Sequence, residues 1–245
     1  MHILRRTILI GLPFVLLTAG APKLRAQLSD GRLAVLLRGT VTTTSKLYLS
    51  PDAPTADARS QYDSYNTLLG AGAEFRLMLA EEQFYLAVSS EYNATMHDQI
   101  RPIAFVDSVR LLPVQEGVRF IPIELGAYAY IPLGSDVVRM TMGGGIGAYI
   151  GVRELTVGTV GTKTLNTPVG FGIHVGIGME YRLTSSIAMQ GALRFRDPEI
   201  RTENSFDQTS IPVGSRTRTL SSAPIASKVV VDGMNFSLGV LLRIR

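Results

Sequence analysis

The chain has no cysteine and no tryptophan in 245 residues, and only 18% of its residues are charged. Without cysteine there are no disulfides, no thiolate metal sites, no cysteine nucleophile and no lipidated cysteine at a processing site. Beyond the first twenty-odd residues no run of 18 apolar residues occurs, so membrane-spanning helices are not expected. Yet 46% of the chain is hydrophobic and the mean hydropathy is +0.21, high for a protein dissolved in water.

The net charge of +4 invites a nucleic-acid reading, which fails on where the charge lies. Residues 1–26 read as an export signal: Arg5 and Arg6 precede an apolar stretch from Ile8 to Leu17, too short to span a bilayer. Ala19-Gly20-Ala21 fits a cleavage pattern, but Pro22 would follow the cut, so cleavage after Ala26 is preferred. This segment holds four of the 24 basic residues and no acid. Its removal leaves the 20 acids matched and the mature net charge at zero, and no nucleic-acid partner is expected.

What the mature chain does have is alternation. In "VGFGIHVGIGMEYRL", residues 169–183, every odd position is apolar, while the even ones are glycine, His174, Glu180 and Arg182. The same period of two recurs from Leu33 to Val41, Leu69 to Leu79, Phe84 to Ala94, Ile121 to Ile131, Val138 to Ile150, Ile187 to Phe195 and Met234 to Ile244. These make eight strands of roughly ten to fifteen residues, where globular strands average five or six and strands tilted across a bilayer need about 9–11. Short connections at Ala80–Gln83, Pro132–Asp136 and Thr184–Ser186 alternate with long polar segments near 43–66, 97–117, 154–167 and 197–231. Tyr92, Phe171, Phe195 and Phe236 fall on the apolar face near one end of the strands, with Phe84 and Tyr181 near the other. That is the two-girdle pattern of aromatic rings at bilayer interfaces.

The pattern predicts an all-β fold, an eight-stranded antiparallel up-and-down transmembrane β-barrel over residues 27–245. Its apolar face would meet lipid, and its lumen would be just wide enough for side chains to fill it. The lumen would hold Arg38, Glu74, Arg76, Glu91, Glu124, Arg139, Arg153, Glu180, Arg182, Arg194, Arg196 and Arg243, with His174 among them. Buried charges persist only when paired, so Glu–Arg networks are expected to plug the bore.

The alternating strands, the loop asymmetry and the export signal together resemble the small outer-membrane barrels of the OmpA/OmpX and OmpW type. The resemblance is architectural, covers nearly all of residues 27–245, and implies a cell outer-membrane location with both termini periplasmic. It further implies contact with outer-membrane lipids and lipopolysaccharide, assembly by the barrel-assembly machinery, and a monomer. One departure is the C-terminus, "NFSLGVLLRIR", which lacks the final aromatic residue usual in such barrels. The last strand reaches the chain end, so no peptidoglycan-binding domain is expected after it.

Several features point elsewhere and are weighed against packing. "GGGIGAYIG", residues 143–151, sits inside a strand rather than before a helix, so its glycines read as lumen packing and not as a phosphate loop. His174 and His97 are too far separated to suggest a metal site, and no cofactor is implied. Ser89, Ser90 and Ser237 offer candidate hydroxyls, but no His-x-Ser pair occurs and no serine lies beside His97 and Asp98. His97, placed in the loop after strand three, Asp98 and Glu91 form the one cluster worth testing for lipid A chemistry. The long segments 50–66 and 197–231 read as exposed loops, with Arg216 and Arg218 as candidates for lipopolysaccharide phosphates. The expectation is a non-catalytic structural or surface-interaction barrel. The alternatives are an OmpW-like narrow channel or carrier for small hydrophobic molecules, and a lipid A-modifying enzyme.

Overall fold

The computed structural model describes residues 32–79, 83–135, 137–166, 169–214 and 216–244. The segment read as an export signal, residues 1–26, lies outside the described residues. Among the described residues thirteen strands form: β1 (Leu33–Tyr48), β2 (Tyr62–Leu79), β3 (Phe84–Ala104), β4 (Val109–Ile131), β5 (Val138–Val157), β6 (Val160–Asn166), β7 (Val169–Arg182), β8 (Ile187–Arg196), β9 (Glu199–Phe206), β10 (Ser210–Val213), β11 (Arg216–Thr219), β12 (Ile225–Val230) and β13 (Met234–Ile244). One short helix, α1 (Ala56–Ser60), is capped by Thr55, whose hydroxyl accepts from the Ala58 amide.

Eight strands close a ring in the order β1-β2-β3-β4-β5-β7-β8-β13, with β13 returning to β1 and every pairing antiparallel. The ring continues toward one end, where β6, β9 and β12 succeed β7, β8 and β13. There β5 pairs β6, β6 pairs β9, β9 pairs β12, and β12 pairs β1. The barrel is therefore one wall of eight long strands, three of them interrupted at the same height.

Through the lower part of the wall the outward residues are apolar and exposed, as along β7 from Val169 to Leu183 and along β13 from Met234 to Ile244. Above it the polarity reverses. Along β9, Ile200, Thr202 and Asn204 point inward, while Glu199, Arg201 and Glu203 point out. On β5, Arg153, Leu155 and Val157 are buried between the outward Val152, Glu154 and Thr156. On β1 and β2 the reversal comes with a change of face. Thr40 and Thr42 are buried on one parity and Ser45 and Leu47 on the other, opposite Leu68 and Tyr65 on β2. Between the last two sits Thr67 at φ 72°, a left-handed conformation that a β-branched residue rarely adopts. Both strands change face together, so their register is kept.

This reversal corrects the expected loops. The connection after β3 spans only 105–108 and the one after β5 only 158–159, where Gly158 takes φ 61°. Most of 97–117, 154–167 and 197–231 is strand; 43–66 keeps a connection over 49–61 that holds α1, and the connection after β9 carries the β10–β11 hairpin. These segments read as loops because alternation with apolar residues inside and polar ones outside is weaker in composition. The backbone pairing continues regardless. The opposite-end connections are short, after Leu79, Ile131 and Arg182, as the spacing predicts.

Candidate functional site

The inward positions of the lower barrel converge on a closed ring of alternating charges. Glu74 on β2 pairs with Arg38 on β1 at 2.7 Å, and Arg38 with Glu91 on β3 at 2.6 Å. Glu91 meets Arg196 on β8 at 3.1 Å, and Arg196 meets Glu124 on β4 at 3.3 Å. Glu124 meets Arg194 on β8 at 2.5 Å, and Arg194 returns to Glu74 at 3.0 Å. Arg76 extends the ring, bonding Glu74 at 2.7 Å, Glu180 at 2.5 Å and the Gln190 side chain at 2.6 Å. Four arginines thus face four glutamates, and all eight are buried. Because β8 lies across the bore from β2, β3 and β4, the ring spans the lumen.

Glycines make room for this core. A Cβ at Gly143 would stand 2.1 Å from the Ala127 carbonyl and 2.8 Å from the Tyr128 ring; at Gly147 it would meet Tyr149 and Glu124. The bare face of the alternating strands is therefore where Tyr128 and Tyr149 lie. The Tyr149 hydroxyl donates to Glu124 at 3.2 Å, and Tyr128 pairs with His174 Nε2 at 3.1 Å. Below the ring, Tyr85 stacks on Tyr128 at 5.0 Å, and the Arg76 guanidinium lies over Tyr85 at 4.4 Å. Above it, Phe120 stacks on Tyr149 at 5.8 Å within an apolar layer that includes Leu47, Leu68 and Val229. A void of about 20 Å3, room for a single water, lies beside the ring against Arg38, Glu74, Arg194 and Tyr128.

A second ionic layer lies higher in the bore. Arg101 Nε and Arg153 Nε each donate to Glu116 at 2.7 Å, and Arg101 also pairs with Asp63. Burial works against the Arg101 charge, but Asp63 and Glu116 outweigh it and hold its pKa above the ordinary value. Of the residues predicted to line the lumen, Arg153 belongs to this layer rather than to the ring. Arg101, Glu116 and Asp63 were not anticipated. Arg101 and Glu116 share the inward parity of Glu91 and Glu124, so extending that parity beyond the apolar stretches would have found them.

Arg139, Arg182 and Arg243 stand half-buried at the lower mouth, Arg139 over the Tyr130 ring at 5.5 Å. The aromatic residues expected in girdles, Tyr92, Phe171, Phe195, Phe236, Phe84 and Tyr181, are all exposed on the outer surface. His97 lies within β3 and not in a loop, because the strand runs on to Ala104. It touches Thr95 and the Tyr65 ring, while Glu91 is held by arginines six residues away, roughly 20 Å along the strand. The structure does not bring the two together.

No protein-family model matches the chain, and no curated protein matches it. Among solved structures, the outer membrane protein OprG from Pseudomonas aeruginosa is similar over 86% of this chain and 96% of its own, with a TM-score of 0.56 and 13% identity. The fold is that of the small outer-membrane β-barrels. Neisserial surface protein A is similar at 10% identity over 88% of this chain and 98% of its own, with a TM-score of 0.44. The attachment invasion locus protein Ail of Yersinia pestis is similar at 10% identity over 86% and 98%, with a TM-score of 0.43.

Proposed function

We propose that this chain is an integral outer-membrane barrel with a closed, charge-plugged lumen, acting without catalysis as a scaffold that presents its outer rim. The observation that carries the closed lumen is the ring of Arg38, Glu74, Arg194, Glu124, Arg196 and Glu91, six buried side chains paired across the bore. The membrane placement rests on the apolar wall. The outward residues of β7 from Val169 to Leu183 cover roughly 46 Å of strand. At a tilt near 40° that is about 35 Å, which accommodates an apolar band of about 25 Å and its aromatic borders. A closed barrel leaves no unpaired backbone edge toward lipid.

The interaction role rests on the rim. Beyond the polar girdle of Asp98, Gln115 and Arg119, the outer face of the β3–β4 hairpin turns apolar again. Ile100, Val106, Val109 and Leu111 there are 66–76% exposed. Such a patch on an extracellular hairpin is suited to a partner at the cell surface.

Conductance in planar bilayers tests the plug. The purified barrel is expected to insert without producing stepwise current, while the double variant Arg194→Ala/Arg196→Ala opens measurable steps. Stable channel openings from the unaltered protein would refute the closed lumen and favour the channel or carrier.

A further inference from the structure

Above the layer of Arg101, Glu116 and Arg153 the bore widens into a cleft of about 410 Å3, within the range of roughly 300–1,000 Å3 typical of small-molecule sites. Its walls include Ile103, Leu155, Phe206 and Ile225, and the connection after β1 and the one before β12 form its rim. Arg101 and Arg153 line its polar end. The Arg153 side chain is 94% buried, and its Nε and Nη2 are both engaged by Glu116, yet Nη1 has no partner. Arginine is a donor only and stays charged, so a buried, unmatched guanidinium nitrogen is costly unless something supplies an acceptor. Beside it, the Arg101 side chain is 12% exposed.

We propose that this cleft binds a small amphipathic carboxylate. Its head would accept from Arg153 and Arg101, and its hydrocarbon body would lie against Ile103, Leu155, Phe206 and Ile225. The charges around the floor argue for a single negative charge. Asp63 and Glu116 already balance the two arginines, and Asp52 lines the same cleft, so a dianionic phosphate would meet three carboxylates. An oxygen acceptor with one charge fills the unmatched donor at about half that repulsion, and Asp52 is itself paired with Arg201 at 3.5 Å. A neutral hydrocarbon leaves Nη1 as it is. The proposal deepens the surface role above, and rests on it only for which end faces the medium.

The test uses the full barrel in lipid nanodiscs, where both ends are reachable, so loss of binding and opening of the lumen are read separately. Octanoate is titrated against the protein and against empty nanodiscs, with octanol and acetate as controls. Calorimetry and the Nε–H signals of the arginines are the readouts. Saturable 1:1 binding of octanoate is expected, shifting the Arg101 and Arg153 signals, with octanol and acetate at least tenfold weaker. Arg153→Met is expected to weaken octanoate at least tenfold. Ala223→Trp, at the exposed rim, blocks the cleft without touching the ionic layer, and decides the matter if Arg153→Met fails to fold. Octanoate binding no better than octanol, no better than empty nanodiscs, or unchanged by Ala223→Trp would overturn the assignment.

Discussion

Cutting the charge ring at one place tests whether it works as a unit. Arg38 bridges Glu74 and Glu91, and its side chain is 2% exposed. Arg38→Met keeps most of the stem but leaves four glutamates facing three arginines. Glu91→Gln keeps the shape and leaves the opposite imbalance. Each single change removes one partner from a buried pair, a loss of about 3–5 kcal/mol. That is a fifth or more of a typical total stability of about 5–15 kcal/mol. The double variant restores neutrality, three glutamates to three arginines, so no uncompensated charge remains in the bore. Its cost is expected to fall short of the sum of the singles by about 1–3 kcal/mol. Urea titration of the refolded barrel in vesicles, scored by the faster migration of the folded form on unboiled gels, reads all four proteins. With a slope near 2 kcal/mol/M, each single shifts the midpoint by roughly 2 M. Additivity within about 0.5 kcal/mol would refute the coupled ring and reduce it to independent contacts.

Two further outcomes follow from local geometry. A Cβ at Gly145 would stand 1.9 Å from the Leu125 carbonyl, whereas one at Gly191 would meet nothing within 4 Å. Gly145→Ala should therefore cost about 1–3 kcal/mol or more in the same urea assay, and Gly191→Ala should be neutral or gain up to about 1 kcal/mol. At the rim, a hydrogen bond from the Ser108 hydroxyl, and then the Arg218 guanidinium at 3.1 Å, hold the Asp107 carboxyl below its usual range. A carboxyl with a lowered folded pKa contributes stability above its unfolded value, near 3.9, and loses it as pH falls through the folded one. Hydrogen exchange in β11 (Arg216–Thr219) is thus expected to quicken below about pH 4 relative to the barrel wall. Equal protection across that range would contradict it.

Sequence alone determined the membrane part of this protein. Where one face meets an apolar medium and the other a crowded bore, every second residue is constrained, and eight such runs with sorted connections leave an eight-stranded barrel as the answer. The lumen charges were legible for the same reason: Arg38, Glu74, Glu91, Glu124, Arg194 and Arg196 break an otherwise small or apolar inward parity. Which of them pair could not be read. The contacts of Arg194 and Arg196 on β8 with Glu74, Glu91 and Glu124 join strands brought together only by the closure of the barrel, and one residue of slip would turn every charge outward. Tertiary structure also decided the upper wall. Above the belt the solvent is water, so the outer face is polar, the inner face apolar, and the segment imitates a loop in composition. Arg101, Glu116 and Asp63 were hidden there. The cleft above them is assembled from β3, β5, β9 and the connections after β1 and before β12, segments far apart in the chain, with the Arg101 and Arg153 side chains at its floor.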